Sequence, residues 1–140
     1  MTQLRVHHVA LWAADLEGMR EFYVGVLGGV GGPLYENPRT GFRSYFVTFT
    51  ESRLELMWEP GRGGKGSDVG VLGYAHVAMS AGSRAGVDKR VTELRERGCR
   101  VVSAPRVTGD GYYEAVIEDP EGNRIELVGS ASSRTTSGFG

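Results

Sequence analysis

Two short stretches of this chain are near copies of two others, and that repeat limits what the chain can fold into. His7-His8-Val9-Ala10-Leu11 lines up with Ala75-His76-Val77-Ala78-Met79, and Arg53-Leu54-Glu55-Leu56 lines up with Arg124-Ile125-Glu126-Leu127. His8 precedes Glu55 by 47 positions and His76 precedes Glu126 by 50. Recurrence at a near-constant spacing marks one supersecondary unit used twice. A chain of 140 residues has room for two such units and little else.

Both copies read as the same order of elements. Residues 5–12 are short, apolar and β-prone, and Asp15 can cap a helix in which Leu16, Met19, Phe22, Tyr23, Val26 and Leu27 recur at helical spacing. Gly28-Gly29 stops that helix, and a loop with Pro33, Asn37, Pro38 and Gly41 follows. Residues 43–50 and 53–58 then read as strands joined at Glu51-Ser52. The second copy predicts a strand at 74–80, a helix at 83–97 with Val87, Val91 and Leu94 on one stripe, and Gly98 as its stop. Strands follow at 100–107, 112–118 and 123–128, with Asp119-Pro120-Glu121-Gly122 as the last turn. The expected fold class is α+β, with paired βαβββ modules at 1–60 and 74–129. Residues 61–73 read as a flexible linker, and the Ser-, Thr- and Gly-rich 130–140 as a disordered tail.

Strand periodicity turns the repeat into a site. Successive side chains point to opposite faces, so Val9 and Leu11 oppose His8, Leu54 and Leu56 oppose Glu55, Val77 and Met79 oppose His76, and Ile125 and Leu127 oppose Glu126. One face is apolar and suits packing under helices. The other presents two imidazoles and two carboxylates. A lone His or Glu on a strand is usually a hydrogen-bonded or solvated residue. Two of each at repeat-equivalent positions on one face point instead to a divalent metal, because buried carboxylates need a cation or dense hydrogen bonding. His7, next to His8, is expected on the opposite side of a regular strand, a placement that a β-bulge would exchange.

The totals exclude several other roles. A net charge of −1 leaves no basic surplus for a nucleic-acid partner. No stretch approaches the length of a membrane span, and the opening residues lack the apolar run of a signal peptide. The single cysteine, Cys99, excludes an internal disulfide and reads as structural, so a cytoplasmic protein is expected.

These residues give the chain a resemblance to a known group. His8-Val9-Ala10-Leu11 with Asp15-Leu16 following, Phe22-Tyr23 before Leu27-Gly28, Leu54-Glu55-Leu56, His76-Val77-Ala78 and Asp119-Pro120-Glu121-Gly122-Asn123-Arg124-Ile125-Glu126-Leu127 together resemble the vicinal oxygen chelate superfamily. That superfamily includes glyoxalase I, bleomycin- and fosfomycin-resistance proteins, methylmalonyl-CoA epimerase and extradiol dioxygenases, and the likeness covers about residues 4–128. The resemblance implies paired βαβββ modules forming a curved mixed sheet around a metal. It also implies the glyoxalase I ligand set of His, Glu, His and Glu, carried here by His8, Glu55, His76 and Glu126. The epimerase pattern has Gln where this chain has Glu55, and the dioxygenases use two His and one carboxylate. Glyoxalase I carries an Arg for glutathione four residues after its first His, where this chain has Trp12. Arg39, Arg43 and Arg106 are candidates to replace it.

Such a site suits Zn²⁺, Ni²⁺, Co²⁺, Mn²⁺ or Fe²⁺ with two positions open for the oxygens of a small-molecule substrate. The chemistry implied is a lyase or isomerase reaction through an enediolate, with Glu126 and Glu55 as candidate bases. Trp12, Tyr45, Phe49, Met57, Tyr112 and Tyr113 are candidates for the substrate pocket, and the turn Gly109-Asp110-Gly111 for its rim. A binding or antibiotic-resistance protein of the same fold is the alternative to an enzyme, and a ring-cleaving dioxygenase ranks below both. A homodimer is expected, with each site held within one chain or shared between two.

Overall fold

The structure is a computed structural model that describes residues 3–64 and 72–130. The chain divides into two compact units, residues 1–66 and 67–140. Most of the expected linker and nearly all of the expected tail lie outside the described residues.

The first unit runs β1 (Val9–Trp12), α1 (Leu16–Arg20), a π-helical segment (Glu21–Val26), β2 (Val30–Gly31), β3 (Tyr35–Glu36), β4 (Arg43–Thr48) and β5 (Arg53–Trp58). Its sheet has the order β1-β5-β4-β2, with β3 also on β4. The second unit runs β6 (Val77–Gly82), α2 (Arg84–Glu96), β7 (Val101–Val107), β8 (Tyr113–Glu118) and β9 (Arg124–Gly129), in the order β6-β9-β8-β7. In both, the first strand runs parallel to the last and the remaining pairs are antiparallel. The fold class is therefore α+β with two mixed sheets.

Each helix starts in the same way. Asp15 accepts from the Gly18 N–H and Ser83 from the Gly86 N–H, both at 3.0 Å, which satisfies a donor that the first turn leaves unpaired. The ends differ. Gly98 takes φ +81°, and the Cys99 N–H reaches back five residues to Leu94, a left-handed glycine cap. Gly28 takes φ +87°, yet the Gly29 N–H reaches back six residues to Tyr23, because the π-helical segment adds a residue to the last turn. The single helix expected across 16–27 is thus α1 plus this wider turn.

The strands also differ from expectation. β1 begins at Val9 rather than residue 5, and β6 at Val77 rather than 74, running on to Gly82. The expected loop before β4 contains β2 and β3, each only two residues long. Gly29, Gly31, Gly32 and Pro33 break what is a seven-residue strand, β7, in the second unit. In that second unit Pro105 is tolerated because β7 is an edge strand.

The apolar faces of the later strands are where the period places them, whereas on the first strand of each unit Val9 is 39% exposed and Leu11, Val77 and Met79 are half-buried. Leu54 and Leu56 of β5 and Val47 of β4 are buried with Leu16, Met19, Phe22 and Tyr23 of the first helix. Ala115, Ile117, Ile125 and Leu127 are buried with Val87, Val91 and Leu94 of α2. Full burial of one such side chain stabilises by roughly 1.5–3 kcal/mol, so each unit has a core of its own.

Candidate metal centre

The parallel strand pair builds the same His–Glu contact in each unit. In β1 and β5, Ala10 lies opposite Glu55; in β6 and β9, Ala78 lies opposite Glu126. The histidine two residues before each alanine lies just ahead of its strand, and its ring reaches the glutamate. His8 Nε2 stands 3.4 Å from Glu55 Oε1, and His76 Nε2 stands 3.3 Å from Glu126 Oε2. The carboxylates are the more buried partners, with side-chain exposures of 16% and 20% against 34% and 39% for the imidazoles.

These distances suit two donors on one cation. Two ligands each about 2.1 Å from an ion and at right angles around it are about 3 Å apart. Nitrogen and oxygen donors in this mixture suit first-row divalent metals. Among the described residues, no three His, Cys, Asp or Glu side chains form a ready metal-holding group. Each unit supplies one imidazole and one carboxylate as candidate donors.

The surroundings of the pairs differ. In the second unit, Glu114 of β8 lies diagonal to Glu126, since Glu114 pairs with Val128 and Val116 with Glu126. Burial, and then a hydrogen bond with Glu114, push the Glu126 carboxyl above the usual carboxylate range, while His76 pulls it down. In the first unit, Ser44 holds the position equivalent to Glu114, opposite Met57. His7 lies there on the site side. Its Nδ1 is 2.9 Å from His8 Nδ1, and Arg53 Nη2 is 3.2 and 3.1 Å from its two ring nitrogens. This corrects the expectation that His7 turns away: β1 starts only at Val9, so strand alternation does not govern residues 7 and 8. Phe46 packs its ring edge-on to His8 at 5.2 Å and carries the Arg53 guanidinium 4.8 Å from its centroid.

A family model described as Glyoxalase/Bleomycin resistance protein/Dioxygenase superfamily matches residues 5–127. The chain belongs to that superfamily. Among its relatives, a lactoylglutathione lyase of Salmonella typhimurium is 32% identical over 130 residues, covering 89% of this chain and 92% of that enzyme. An uncharacterized protein of Bacillus subtilis, YqjT, is 30% identical over 133 residues, covering 88% of this chain and 97% of that one. Among solved structures, a glyoxalase family protein from Enterococcus faecalis superposes with a TM-score of 0.76 at 23% identity, covering 89% of this chain and 96% of that one.

Within this superfamily fold, the register divides the candidate pocket residues. Trp12 pairs with Met57, and both share the face of His8 and Glu55. Tyr112 is exposed and just precedes β8, whose Glu114 and Val116 share the face of Glu126. Tyr45, Phe49 and Tyr113 lie on the helix side, which corrects their placement at the pocket. Tyr45 pairs with Leu56 and donates its hydroxyl to Glu17 of α1 at 2.5 Å; that bond, with burial, raises the phenol above its ordinary pKa. Tyr113 donates to Asp88 of α2 at 2.5 Å, which raises it likewise. Phe49 closes over Gly29, where a β-carbon would come within 2.9 Å of its ring. Odd and even positions on each strand separate these residues, and the aromatic character that singled them out ignores that parity.

The arginines sort in the same way. Arg43 stacks on Trp58, 4.4 Å from the ring centroid, on the helix side of the sheet. The Arg39 backbone N–H donates to the side-chain oxygen of Asn37 in its own turn, and Arg106 Nε stands 3.5 Å from Ser103 Oγ. The cation against Trp12 is Arg62, whose Cζ is 3.8 Å from the indole centroid and which is paired with Glu59 at 2.9 Å. Arg62 lies in the stretch read as linker, where sequence gives no periodicity to place it. Glu114 and Phe46 were open to parity counting from Glu126 and Glu55; His7 was not, because its placement depends on where β1 begins.

Proposed function

We propose that this superfamily member is a divalent-metal-dependent lyase or isomerase of the glyoxalase I kind, acting on a small oxygenated substrate. His8, Glu55, His76 and Glu126 together hold one ion, with Zn²⁺, Ni²⁺, Co²⁺, Mn²⁺ and Fe²⁺ all suited to the donors. The observation that carries this reading is the His–Glu pair built twice in the same register, at 3.4 and 3.3 Å. The identity to lactoylglutathione lyases supports it. The two pairs meet within one chain or across a homodimer.

The bound ion supplies a Lewis acid beside the substrate oxygens. Glu126 and Glu55 are the groups that take a proton from the substrate carbon and return it. Glu114 holds the Glu126 carboxyl in place from the neighbouring strand. Trp12, Phe46 and Met57 supply apolar surface on the Glu55 side that keeps water from the reacting carbon. The test is turnover of α-ketoaldehyde adducts of thiols. Glu126→Gln is expected to lower kcat by about 10²–10⁴-fold, and wild-type turnover in that variant would contradict the carboxylate mechanism.

A second reading has its own observation. Trp12, Phe42 and Tyr35 make a chain of ring contacts, each at 6.2 Å, and Trp12 and Tyr35 are 38% and 55% exposed. An exposed aromatic surface suits binding of a flat apolar molecule such as an antibiotic. Tight binding of such a ligand without metal, together with no turnover of any adduct, would favour it.

A further inference from the structure

We infer that Arg53 recognises the substrate, and that this substrate carries a carboxylate besides the oxygens that meet the metal. The inference rests on the reading of His8 and Glu55 as ligands and names the substrate class of that same site. Side chains alternate along β5, so Arg53, Glu55 and Met57 share one face. Arg53 lies on the far side of Glu55 from Met57 and its neighbour Trp12. The guanidinium is half-buried and held against two rings. Its Cζ is 4.8 Å from the Phe46 centroid, and its Nη2 is 3.2 and 3.1 Å from the ring nitrogens of His7. Phe46 lies opposite Glu55 and also meets the ring of His8 edge-on at 5.2 Å. The cation thus rests on the same phenyl ring as a candidate ligand.

Its charge has no counter-charge beside it. A guanidinium stays charged at any working pH and has five N–H donors. A neutral imidazole offers one lone pair and a protonated one none, so His7 takes at most one of those donors in either state. Among the described residues no Asp or Glu makes an ion pair with Arg53, and Glu55 turns its Oε1 to His8. A planar fork of free donors beside a metal site matches the two oxygens of a carboxylate, and one guanidinium balances its single charge.

The second unit holds the internal control. Arg124 stands two residues before Glu126, as Arg53 stands before Glu55. Glu118 lies opposite Arg124, where Thr48 lies opposite Arg53. Val116 replaces Phe46, and Ala75 replaces His7. Arg124 therefore faces an acid across the strands and has neither ring to hold it, whereas Arg53 has both rings and no acid. Rings that fix the fork before a ligand arrives lower the ordering cost of binding. Arg62, against Trp12, is already paired with Glu59. Leu54 and Leu56 point to the opposite face of β5, so replacing Arg53 leaves the apolar core intact.

The experiment measures binding to the Zn²⁺-loaded full chain by calorimetry, with the melting temperature as a fold control. The probes are 2-oxoglutarate and 2-oxoadipate against 2-oxopentanoate and 2-oxohexanoate, which keep the metal-binding oxo-acid end and have a methyl group in place of the distal carboxylate. The wild type is expected to bind at least one dicarboxylate about 10–100-fold more tightly than its matched monocarboxylate. Arg53→Gln is expected to lose that preference and leave monocarboxylate binding unchanged. Arg53→Lys, which keeps the charge without the fork, should keep part of the preference, and Arg124→Gln all of it. Zn²⁺ affinity in Arg53→Gln should stay within about threefold of wild type, because a guanidinium has no lone pair to give a metal. No preference in the wild type, or a preference kept in Arg53→Gln, would overturn the carboxylate assignment and leave the metal reading standing. Loss of Zn²⁺ and of every probe in a folded Arg53→Gln would make Arg53 a prop of the metal site and overturn the assignment too. A wild-type chain that binds no Zn²⁺, Ni²⁺ or Co²⁺ would overturn the metal reading itself and this inference with it.

Discussion

The two units share a strand order and the registers of their last three paired strands, but differ in the helix and in the outer strand. The first has a five-residue α1 continued by a six-residue π-helical segment, and an outer strand broken into β2 and β3. The second has a regular thirteen-residue α2 and an unbroken seven-residue β7. The His–Glu pairs nevertheless have the same register and contact distance. The parallel strands β1–β5 and β6–β9 therefore position the pairs, and the helix and outer strand are free to vary. What does vary is what stands beside each pair: His7 and Arg53 in the first unit, Glu114 in the second.

The sharpest way to break this comparison is through the cores. Leu56 and Leu127 are buried at corresponding places under the two helices. Leu56→Ala and Leu127→Ala are each expected to cost about 3 kcal/mol in denaturant unfolding. A much smaller cost on one side would show that its sheet is not held by the same packing. A smaller effect separates these neighbours. Glu114→Gln is expected to weaken metal binding about tenfold, while Ser44→Ala, at the equivalent position, leaves it unchanged; equal effects would remove the asymmetry. The smallest concerns the caps. Asp15→Ala and Ser83→Ala should each cost about 1 kcal/mol, because the same bond at 3.0 Å is made in both. A loss confined to Ser83→Ala would mean that the π-helical segment already frees the first turn from its cap.

Much of this was legible in the chain. The repeat of His8 and Glu55 in His76 and Glu126 carried the module order, and strand parity put Leu54, Leu56, Ile125 and Leu127 in the cores. Parity also kept Trp12 and Met57 with His8 and Glu55. The misses have physical causes. Tyr45, Phe49 and Tyr113 are amphipathic rings that satisfy a hydroxyl on a helix or fill space beside it as readily as they line a pocket. The π-helical turn is invisible to a 3.6-residue period, because one inserted residue shifts the stripe only at its end. β2 and β3 are too short and too rich in glycine around them to give an alternating pattern.

The central claim is that two half-sites, one per repeat, make one metal centre. The direct test is metal content by elemental analysis of the purified chain, beside His8→Ala and His76→Ala. The account predicts one divalent ion per chain in the wild type and loss of that ion in either variant alone. Two ions per chain, or an ion kept by one variant at wild-type occupancy, would contradict it.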